Sequence, residues 1–499
     1  MSQPESIFPE SDVSRDHPES EHWIWVGPKQ APIARPFVEY MTQHWADSPV
    51  VEEPHPSVEY TAARRQAAQA RFPDRTLVVP TGEPKVRAND QEYNFRPASD
   101  FFWLTSCDDP NTVLVIHPEG HEKVATLYLE DRRDKSTHKF FTDARYGEMW
   151  VGPRRGMGEA ERRWAIPTKS IEFLEKDLID SDLSKVLITR GYDHRIDVIV
   201  PVSDDDATLS SELAEMRLVK DEYEIARIQE AVDMTTLGFE DVVRALPSAV
   251  GKNERVIEGV FNLRARTAGN DVGYRTIAAS GAHAPILHWT RNDGEVKSGD
   301  LLLLDAGVEG PDLYTSDITR TIPISGTFTP EQREIYDVVL AATNAGIAAI
   351  RPGAGGQDQH WAAMRVLAQG LYDLGIISVE PEVALATELP LYKRYIVCGT
   401  SHMLGIDVHD CTNARAVGPI AGPVHAVGHV LTVEPGLYFH PNDLTIPEKY
   451  RGIGVRIEED VVVTEDGCRV MSSALPRDPD EIEEWMRGLF ARPAPNLGL

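Results

Sequence analysis

Cysteine is scarce in this sequence, with four among 499 residues and no Cys-x-x-Cys pair. This scarcity argues against a disulfide framework and against a zinc ribbon, and it is typical of proteins in a reducing compartment. The stretch MSQPESIFPESDVSRDHPES at the start is acidic and polar, so we do not expect a signal peptide. No run approaches the roughly 18 apolar residues of a membrane span. We therefore expect a cytoplasmic protein without membrane association.

Positive charge is also in short supply, because 50 Lys and Arg stand against 79 Asp and Glu, for a formal net charge of −29. Nucleic acid binding needs clusters of Lys and Arg against the phosphates, so the acidic excess argues against a nucleic acid partner. Hydrophobic residues make up 41% of the chain and charged residues 26%. A chain of this length and composition can bury a large core in two domains.

The pattern of apolar residues divides the chain into three parts. Residues 1–55 are interpreted as an extension, disordered at first and helical around 36–45. Residues 56–205 carry the apolar runs TLVVP, TVLVIHP, VATLYLE and KVLITRGYD between helix-like stretches, a pattern typical of a three-layer α/β domain. The acidic, Ser-rich segment 203–216 marks a boundary, and residues 206–490 form the second domain, opening with a helix-like segment over 217–246.

Five side chains suited to metal binding stand in or beside apolar, strand-like runs of the second domain: Asp305, Asp317, His402, Glu434 and Glu458. Burying an unpaired carboxylate costs several kcal/mol, so four of them in apolar surroundings require compensating positive charge. A pair of divalent cations would supply that charge. Carboxylates with a single histidine favour Mn²⁺, with Zn²⁺, Co²⁺ and Fe²⁺ as alternatives.

The sequence also predicts how the two aspartates meet. Asp305 ends the run LLLLD, and Gly310-Pro311-Asp312 is a strong turn signal. Position 311 lies midway between Asp305 and Asp317, so a hairpin about it would place the two residues opposite each other across the ladder. Their carboxylates would then share two cations about 3.5–4 Å apart.

The segments that carry these residues resemble those of the metallopeptidase family that includes methionine aminopeptidase, aminopeptidase P and prolidase, and most closely those of aminopeptidase P. The matching segments, in chain order, are HWTRND from His288, GDLLLLDAGVE from Gly299, TSDITRTIPISGTFTPEQREIYDVVL from Thr315, SHMLGIDVHD from Ser401, TVEPGLY from Thr432 and GVRIEED from Gly454. The similarity covers roughly residues 216–473. It implies a pita-bread catalytic domain of two pseudo-twofold α/β halves behind a creatinase-like amino-terminal domain.

The resemblance implies a function for each of the candidate ligands. Asp305, Asp317, His402, Glu434 and Glu458 would bind two divalent metal ions, with Asp317 and Glu458 bridging or chelating. A water bridging the two ions would be acidified to hydroxide and would attack the scissile carbonyl. Glu434 would also act as the proton shuttle.

Further residues match family positions around the substrate. His288 and His409 match two histidines that contact the substrate carbonyl and stabilise the tetrahedral intermediate by donating hydrogen bonds. Arg456 would orient Glu458, and Tyr438 matches a tyrosine that lines the site.

The amino-terminal domain of the family closes over the catalytic site of a neighbouring subunit. Asp100 and Trp150, in segments that resemble this domain, would therefore contribute to specificity in trans. The resemblance implies a homodimer or homotetramer.

One position departs from the family pattern, which often has a histidine four residues before the ligand histidine. Here that position is Cys398. A thiol is a weak donor, so the substrate contacts on this side would differ, although hydrolysis does not require the histidine. Cys398 and Cys411 both flank the ligand segment, which raises the hypothesis of thiol sensitivity beside the interpretation that both are buried structural thiols.

The resemblance thus predicts a metal-dependent Xaa-Pro aminopeptidase, which releases the amino-terminal residue from peptides with Pro at the second position. Prolidase, an Xaa-Pro dipeptidase with the same ligands, is one alternative, because the motifs do not show whether residues after Pro are admitted. A catalytically inactive binding protein on the same fold is an alternative of another class. Five competent ligand positions argue against it.

Overall fold

The computed structural model describes residues 23–24, 32–47, 50–386, 388–415 and 422–492. Most of the first thirty or so residues of the predicted extension lie outside these ranges. The chain divides into two compact units, Met1–Asp206 and Ala207–Leu499. None of the helices in the described part of the chain is both long and apolar enough to cross a membrane.

The first unit alternates strands with helices. Its strands are β1 Trp23–Ile24, β2 Ile33–Ala34, β3 Thr76–Pro80, β4 Val86–Ala88, β5 Gln91–Glu92, β6 Val113–Ile116, β7 Ala125–Leu129, β8 Thr168–Ser170 and β9 Val186–Ile188. Its helices are α1 Arg35–Thr42, α2 Val58–Arg71, α3 Ser99–Thr105, α4 Lys139–Thr142, α5 Glu148–Val151, α6 Met157–Trp164, α7 Leu174–Ile179 and α8 His194–Ile199, with 3-10 turns at Ile171–Phe173 and Leu183–Lys185. The four apolar runs of the sequence correspond to β3, β6, β7 and β9.

These four strands and β8 form a five-stranded mixed sheet in the order β8-β7-β6-β3-β9, parallel at both edges and antiparallel in the centre. On one face, Val78, Val115 and Tyr128 pack with residues of α7 and α8. The alternate residues Leu77 and Leu114 are fully buried as well, and α3 contacts β3. A sheet covered on both faces gives the three-layer α/β architecture that the sequence predicts.

The segment in which the sequence places a boundary is helical, because α9 spans Asp205–Arg217 and the division between the units falls near its start. The helices of the second unit are α10 Glu222–Ala249, α11 Arg255–Ala268, α12 Pro330–Ala349, α13 Asp358–Asp373, α14 Pro381–Ala384 and α15 Pro479–Phe490, with 3-10 turns at Gly281–His283, Leu391–Arg394 and Glu448–Tyr450. Its strands are β10 Asp271–Val272, β11 Ile277–Ser280, β12 Leu301–Ala306, β13 Val308–Glu309, β14 Ile318–Pro323, β15 Val430–Val433, β16 Gly436–Tyr438, β17 Gly454–Arg456, β18 Glu459–Thr464 and β19 Gly467–Val470.

Two long helices of this unit begin at side-chain caps. The Asp221 side chain accepts a hydrogen bond from Glu224 N at the start of α10, and Thr329 does the same from Gln332 N at the start of α12, with Pro330 as the first residue of that helix. Such capping boxes satisfy amide groups that the first turn leaves free. Helix α10 packs on α11, and α12 packs on α13.

Two antiparallel sheets of three strands accompany these helix pairs, in the orders β11-β12-β14 and β15-β18-β19. Two helix pairs and two such sheets form the mixed α/β arrangement expected of a pita-bread domain with two related halves. The short pair β16 and β17 lies between β15 and β18 in sequence and carries Arg456.

The predicted register of the first hairpin is wrong by two residues. Asp305 pairs with Thr319, whereas the sequence suggested Asp317 as its partner. The turn does occur at Gly310, where Leu313 N donates to Gly310 O at 2.9 Å, but the hairpin is centred on position 312. A shift of two residues keeps Asp317 on the same face as Thr319, so both aspartates still face one side of the sheet.

Candidate metal centre

The five predicted ligands lie on strands or next to their ends. Asp305 is on β12, Asp317 directly precedes β14, Glu434 directly follows β15, and Glu458 stands between β17 and β18. His402 precedes Met403, which forms an isolated bridge with Leu431 of β15. Backbone hydrogen bonds of Thr432 N to His402 O and of Glu434 N to Thr400 O, both 2.9 Å, hold this segment along the strand.

The two sheets meet directly at these residues. Glu458 N donates to Thr319 O at 3.1 Å, and Asp317 N donates to Asp460 Oδ2 at 3.0 Å. On the opposite face of β14, the guanidinium of Arg320 pairs with Glu459 at 2.8 Å, and both side chains are fully buried. Ligands from the two halves are therefore held by the same contacts that join the halves.

The side chains converge as a metal site requires. Ligand atoms of Asp317, His402 and Glu458 all lie within 4.8 Å of one another. His402 Nε2 is 3.2 Å from Asp317 Oδ2 and 3.6 Å from Glu434 Oε1. His402 Nδ1 lies 3.1 Å from Met403 O, so a proton on Nδ1 would leave Nε2 free to bind an ion.

The charge at this centre is not balanced by protein groups. Burial raises the pKa of Glu434 to about 7, although His402 and Arg456 act against the rise. Burial, with the charges of Asp317 and Glu434, raises the pKa of Glu458 well above its usual value. The raised pKa values show that the protein places too little positive charge beside these carboxylates. Two divalent cations would supply the missing charge. The donor set therefore fits the predicted pair of metal ions.

Arg456 contacts a different ligand from the one expected. Its guanidinium pairs with Asp305, and its Nε donates to Thr319 Oγ1 at 3.1 Å. Glu458 is held by Thr319, whose hydroxyl donates to Glu458 Oε2 at 2.7 Å. The hydrogen bonds of Arg456 thus reach Glu458 through Thr319, and the contact of β17 with β12 places the guanidinium beside Asp305.

Three residues at the centre are absent from the sequence prediction. Tyr274 donates its hydroxyl hydrogen between Asp305 Oδ1 at 2.7 Å and Asp317 Oδ1 at 2.5 Å. Thr319 and Asp460 contact Glu458 and Asp317 as described above. The alternation of Asp317 and Thr319 on one face of β14 was a usable signal for Thr319. Tyr274 gave no such signal, because only the pairing of β11 with β12 brings its segment to the ligands.

The metal centre opens into a cavity of about 620 Å³. His288 and His409 both line it, as do all five of the predicted ligands and Cys398. The rings of His402 and His409 lie 4.2 Å apart, and burial together with the charge of His402 lowers the pKa of His409. Both predicted substrate histidines are therefore next to the ligands, and neither belongs to the cluster of ligand atoms.

The remaining predicted site residues have the following positions. Tyr438 packs in an apolar cluster with Cys398 against it, and its hydroxyl accepts a hydrogen bond from Arg456 at 3.0 Å. In the first unit, Asp100 lies in the first turn of α3, and Trp150 lies on α5 with 60% of its surface exposed. The role of these last two residues in trans stays a prediction.

Comparison with known proteins identifies the family. Residues 226–465 match the model described as metallopeptidase family M24, and residues 61–185 match the model described as the aminopeptidase P N-terminal domain. Xaa-Pro aminopeptidase 1 of Streptomyces coelicolor is 49% identical over 461 residues, which cover 92% of this chain and 93% of the relative. The chain belongs to metallopeptidase family M24.

Other members of the M24 family are similar over most of their length. The Xaa-Pro aminopeptidase of Escherichia coli is 32% identical over 445 residues, covering 85% of this chain and 96% of the relative. Among solved M24 structures, aminopeptidase PepP of Pseudomonas aeruginosa has a TM-score of 0.77 at 30% identity and covers 89% of this chain and 100% of its own. Aminopeptidase P of E. coli, solved with the inhibitor Pro-Leu, has the same TM-score and identity over 88% of this chain and 100% of its own. These matches confirm the predicted fold and family.

Proposed function

We propose that this protein is a metal-dependent Xaa-Pro aminopeptidase, which releases the amino-terminal residue from peptides with Pro at the second position. The convergence of five ligands on a cavity lined by His288 and His409 carries this proposal. Relatives at 48–49% identity are named Xaa-Pro aminopeptidases, and they match this chain over both units. All five ligand side chains line one cavity, which argues against the inactive binding protein considered as an alternative.

The residues Asp305, Asp317, His402, Glu434 and Glu458 would hold two divalent metal ions. When bound, such ions act as Lewis acids and supply a water-derived nucleophile near neutral pH. The ligand set of four carboxylates and one histidine supports Mn²⁺ as the cellular metal, with Zn²⁺, Co²⁺ and Fe²⁺ as the alternatives. Added metals compared at equal occupancy test this choice.

Side chains of the protein would carry out proton transfer, stabilisation of the carbonyl oxygen and positioning of the ligands. Glu434 lines the cavity beside the other ligands, where its carboxylate is placed to take up and release a proton. His288 and His409 are placed to donate hydrogen bonds to the oxygen of the scissile carbonyl as it gains charge. Arg456 and Tyr274 hold the carboxylates of Asp305 and Asp317 in place through hydrogen bonds.

The prolidase alternative is distinguished by the length of the accepted peptide. We would strip the protein with chelator and measure release of the amino-terminal residue from Gly-Pro and from Arg-Pro-Pro-Gly, with and without added Mn²⁺. Metal-dependent cleavage of the longer peptide is the expected result. Cleavage confined to Gly-Pro would make the protein a dipeptidase, and no cleavage with any divalent metal would favour the inactive binding protein.

The variant Asp317→Ala removes one ligand from the cluster and should abolish both metal binding and hydrolysis. A retained far-UV circular dichroism spectrum would show that the fold survives. The control is Asp337→Ala, which removes an exposed carboxylate on α12 that pairs with Arg333, and should leave activity unchanged. Full activity of Asp317→Ala would contradict the proposal.

The assembly and location of the protein are part of the proposal. We propose a homodimer or homotetramer in which Asp100 and Trp150 of one subunit contribute to the site of another. Four unpaired cysteines support a reducing, cytoplasmic environment. Light scattering gives the subunit number. Reduced activity of Trp150→Ala, restored in mixtures with Asp317→Ala subunits, would support sharing of sites between subunits.

A further inference from the structure

A second cavity, of about 730 Å³, adjoins the metal centre. We call it the Lys393 cavity, after one of its residues. It shares five residues with the cavity of the metal centre: Cys398, Gly399, Ser401, His402 and His409. The two cavities therefore meet along the segment that carries the ligand histidine and a predicted substrate histidine.

The Lys393 cavity contains positive charge. Lys393, in the 3-10 turn Leu391–Arg394, is exposed and forms no ion pair with another described residue. His360 on α13 has its Nδ1 2.9 Å from Thr400 Oγ1. Burial, and then the charge of Lys393, lowers the pKa of His360, and no carboxylate acts on it. The two side chains are thus within electrostatic reach of each other.

Negative charge in the same cavity is already neutralised. Among the described residues that line it, Asp410 is the only acid. Its carboxylate pairs with Lys220 Nζ at 2.9 Å and with Arg217, and all three side chains are buried. A ligand in the cavity would therefore meet the positive field of Lys393 without an opposing carboxylate.

The Lys393 cavity also offers contact area for side chains. Trp361, Tyr392 and Leu385 line it. A peptide substrate of the proposed enzyme has one residue before the scissile bond, and a stretch of variable length after it. The larger cavity, continuous with the metal centre and apolar in part, suits the variable stretch. The negative charge that this stretch always carries is its terminal carboxylate.

We propose that the Lys393 cavity holds the part of the peptide that follows the scissile bond, and that Lys393 and His360 bind the terminal carboxylate of short peptides. The inference rests on the proposed Xaa-Pro aminopeptidase activity and specifies its substrates. It assigns a preference for short peptides with a free carboxylate. An ammonium group and an imidazole N–H both donate charge-assisted hydrogen bonds to a carboxylate.

The test compares Arg-Pro-Pro with its carboxyl-terminal amide, using the Mn²⁺-loaded protein. The expected KM of the free acid is about three- to fivefold below that of the amide, as for a charge pair at a partly exposed site. The variant Lys393→Met should raise KM for the acid by the same factor with kcat unchanged. The kcat/KM for the amide should change less than twofold. The control Lys252→Met removes an equal charge from a residue that lines neither cavity.

A second variant separates the contribution of His360. His360→Gln keeps a side chain able to bond Thr400 but removes the imidazole, and it should narrow the difference in KM between acid and amide. Equal KM values for acid and amide in the unmodified protein would overturn the inference, as would an equal effect of Lys393→Met on both peptides. Failure of the proposed function is recognised separately, because neither peptide would then be cleaved in a metal-dependent way.

Discussion

At the scale of single residues, Cys398 lies at the boundary of both cavities, and its reactivity is set by burial. Burial raises the pKa of this thiol to about 11. The thiolate is the reactive form, and only about one thiol in 10⁴ is ionised at pH 7. We expect iodoacetamide at pH 7 to leave peptide hydrolysis intact. Labelling of Cys398 should accelerate about tenfold per pH unit between pH 7 and 10, which mass spectrometry of the labelled peptide measures.

Rapid inactivation by iodoacetamide at pH 7 would contradict this expectation. The variant Cys398→Ala is the control, because loss of activity that persists in this variant would originate at another cysteine. Cys411 is a poor candidate for such a site, since it is buried and its pKa is also raised by burial. The structure thus supports the interpretation of Cys411 as a buried structural thiol, whereas Cys398 is partly exposed and lines both cavities.

The sequence indicated which single residues come together in the structure where residue type and surroundings sufficed. The five ligands are acids or histidine in apolar runs, and that combination can be recognised in the sequence without knowledge of tertiary contacts. The partner of Arg456 was not legible, because it depends on which residues of β12 and β17 lie side by side. Tyr274 was missed for the same reason, since its hydroxyl reaches Asp305 and Asp317 only after β11 has paired with β12.

At the scale of elements, the segment from His402 to Cys411 is anchored by a buried ion cluster of Arg217, Lys220 and Asp410. Asp410 directly follows His409. Replacing it with Asn would leave the buried Lys220 without its carboxylate partner and would take one carboxylate from Arg217, which keeps its contact with Asp407. Breaking such a buried pair costs about 3–5 kcal/mol. We expect Asp410→Asn to lower the midpoint of thermal unfolding by roughly 10 °C. A change of less than about 2 °C would show that the cluster contributes little.

The control is Asp407→Asn. The Asp407 side chain is 36% exposed and lies 3.0 Å from Arg217, so its loss should cost less than about 1 kcal/mol.

The contribution of Asp410 to stability also depends on pH. Arg217 and Lys220 outweigh burial and hold the pKa of Asp410 well below its usual value. The stabilisation is therefore complete above about pH 4 to 5, and the difference between the two proteins should shrink as pH falls below that range.

The sequence predicted the type of each element, helix or strand, more accurately than the register between strands. The apolar runs gave strands β3, β6, β7 and β9, and the long helical pattern gave α10. The register of the β12–β14 hairpin was misjudged because a turn signal locates a bend only to within a residue, and each residue of error moves the pairing by two. At Gly307, a Cβ atom would lie 1.9 Å from Ser316 O. This close approach in the hairpin is a constraint that the sequence does not display.

At the scale of the whole molecule, metal binding should contribute to stability, because the ligands come from both halves of the second unit. An ion that binds only the folded state adds about 2.7 kcal/mol to the free energy of unfolding when its free concentration is one hundred times its Kd. Chelation should therefore lower the midpoint of thermal unfolding by several degrees, and Mn²⁺ should restore it. Calorimetry of the full-length protein measures both changes.

The variant Asp317→Ala serves as the matched control for this experiment. Without one of the five ligand side chains, its unfolding midpoint should no longer respond to Mn²⁺. An equal response in both proteins would place the stabilising ions somewhere else. This readout does not depend on activity, so it separates metal binding from catalysis.

Two-domain organisation and family were predictable at this scale, because composition, length and ordered motifs bear on the chain as a whole. The substrate specificity was harder to predict from the sequence. The Lys393 cavity draws residues from α13, from the turn Leu391–Arg394 and from the segment around Thr400, and no local pattern announces that these will enclose one space.

The joining of the two sheets at Asp317 and Glu458 has a consequence for synthesis of the protein. Chains emerge from the ribosome amino terminus first, and domains fold as they become complete. Asp305 and Arg456, which form an ion pair, are 151 residues apart, so the centre stays open until translation has passed Glu458. A truncated or stalled copy would then expose four ligands without the fifth. Stable metal uptake would thus report that translation of the catalytic domain is essentially finished, and would distinguish complete copies from fragments.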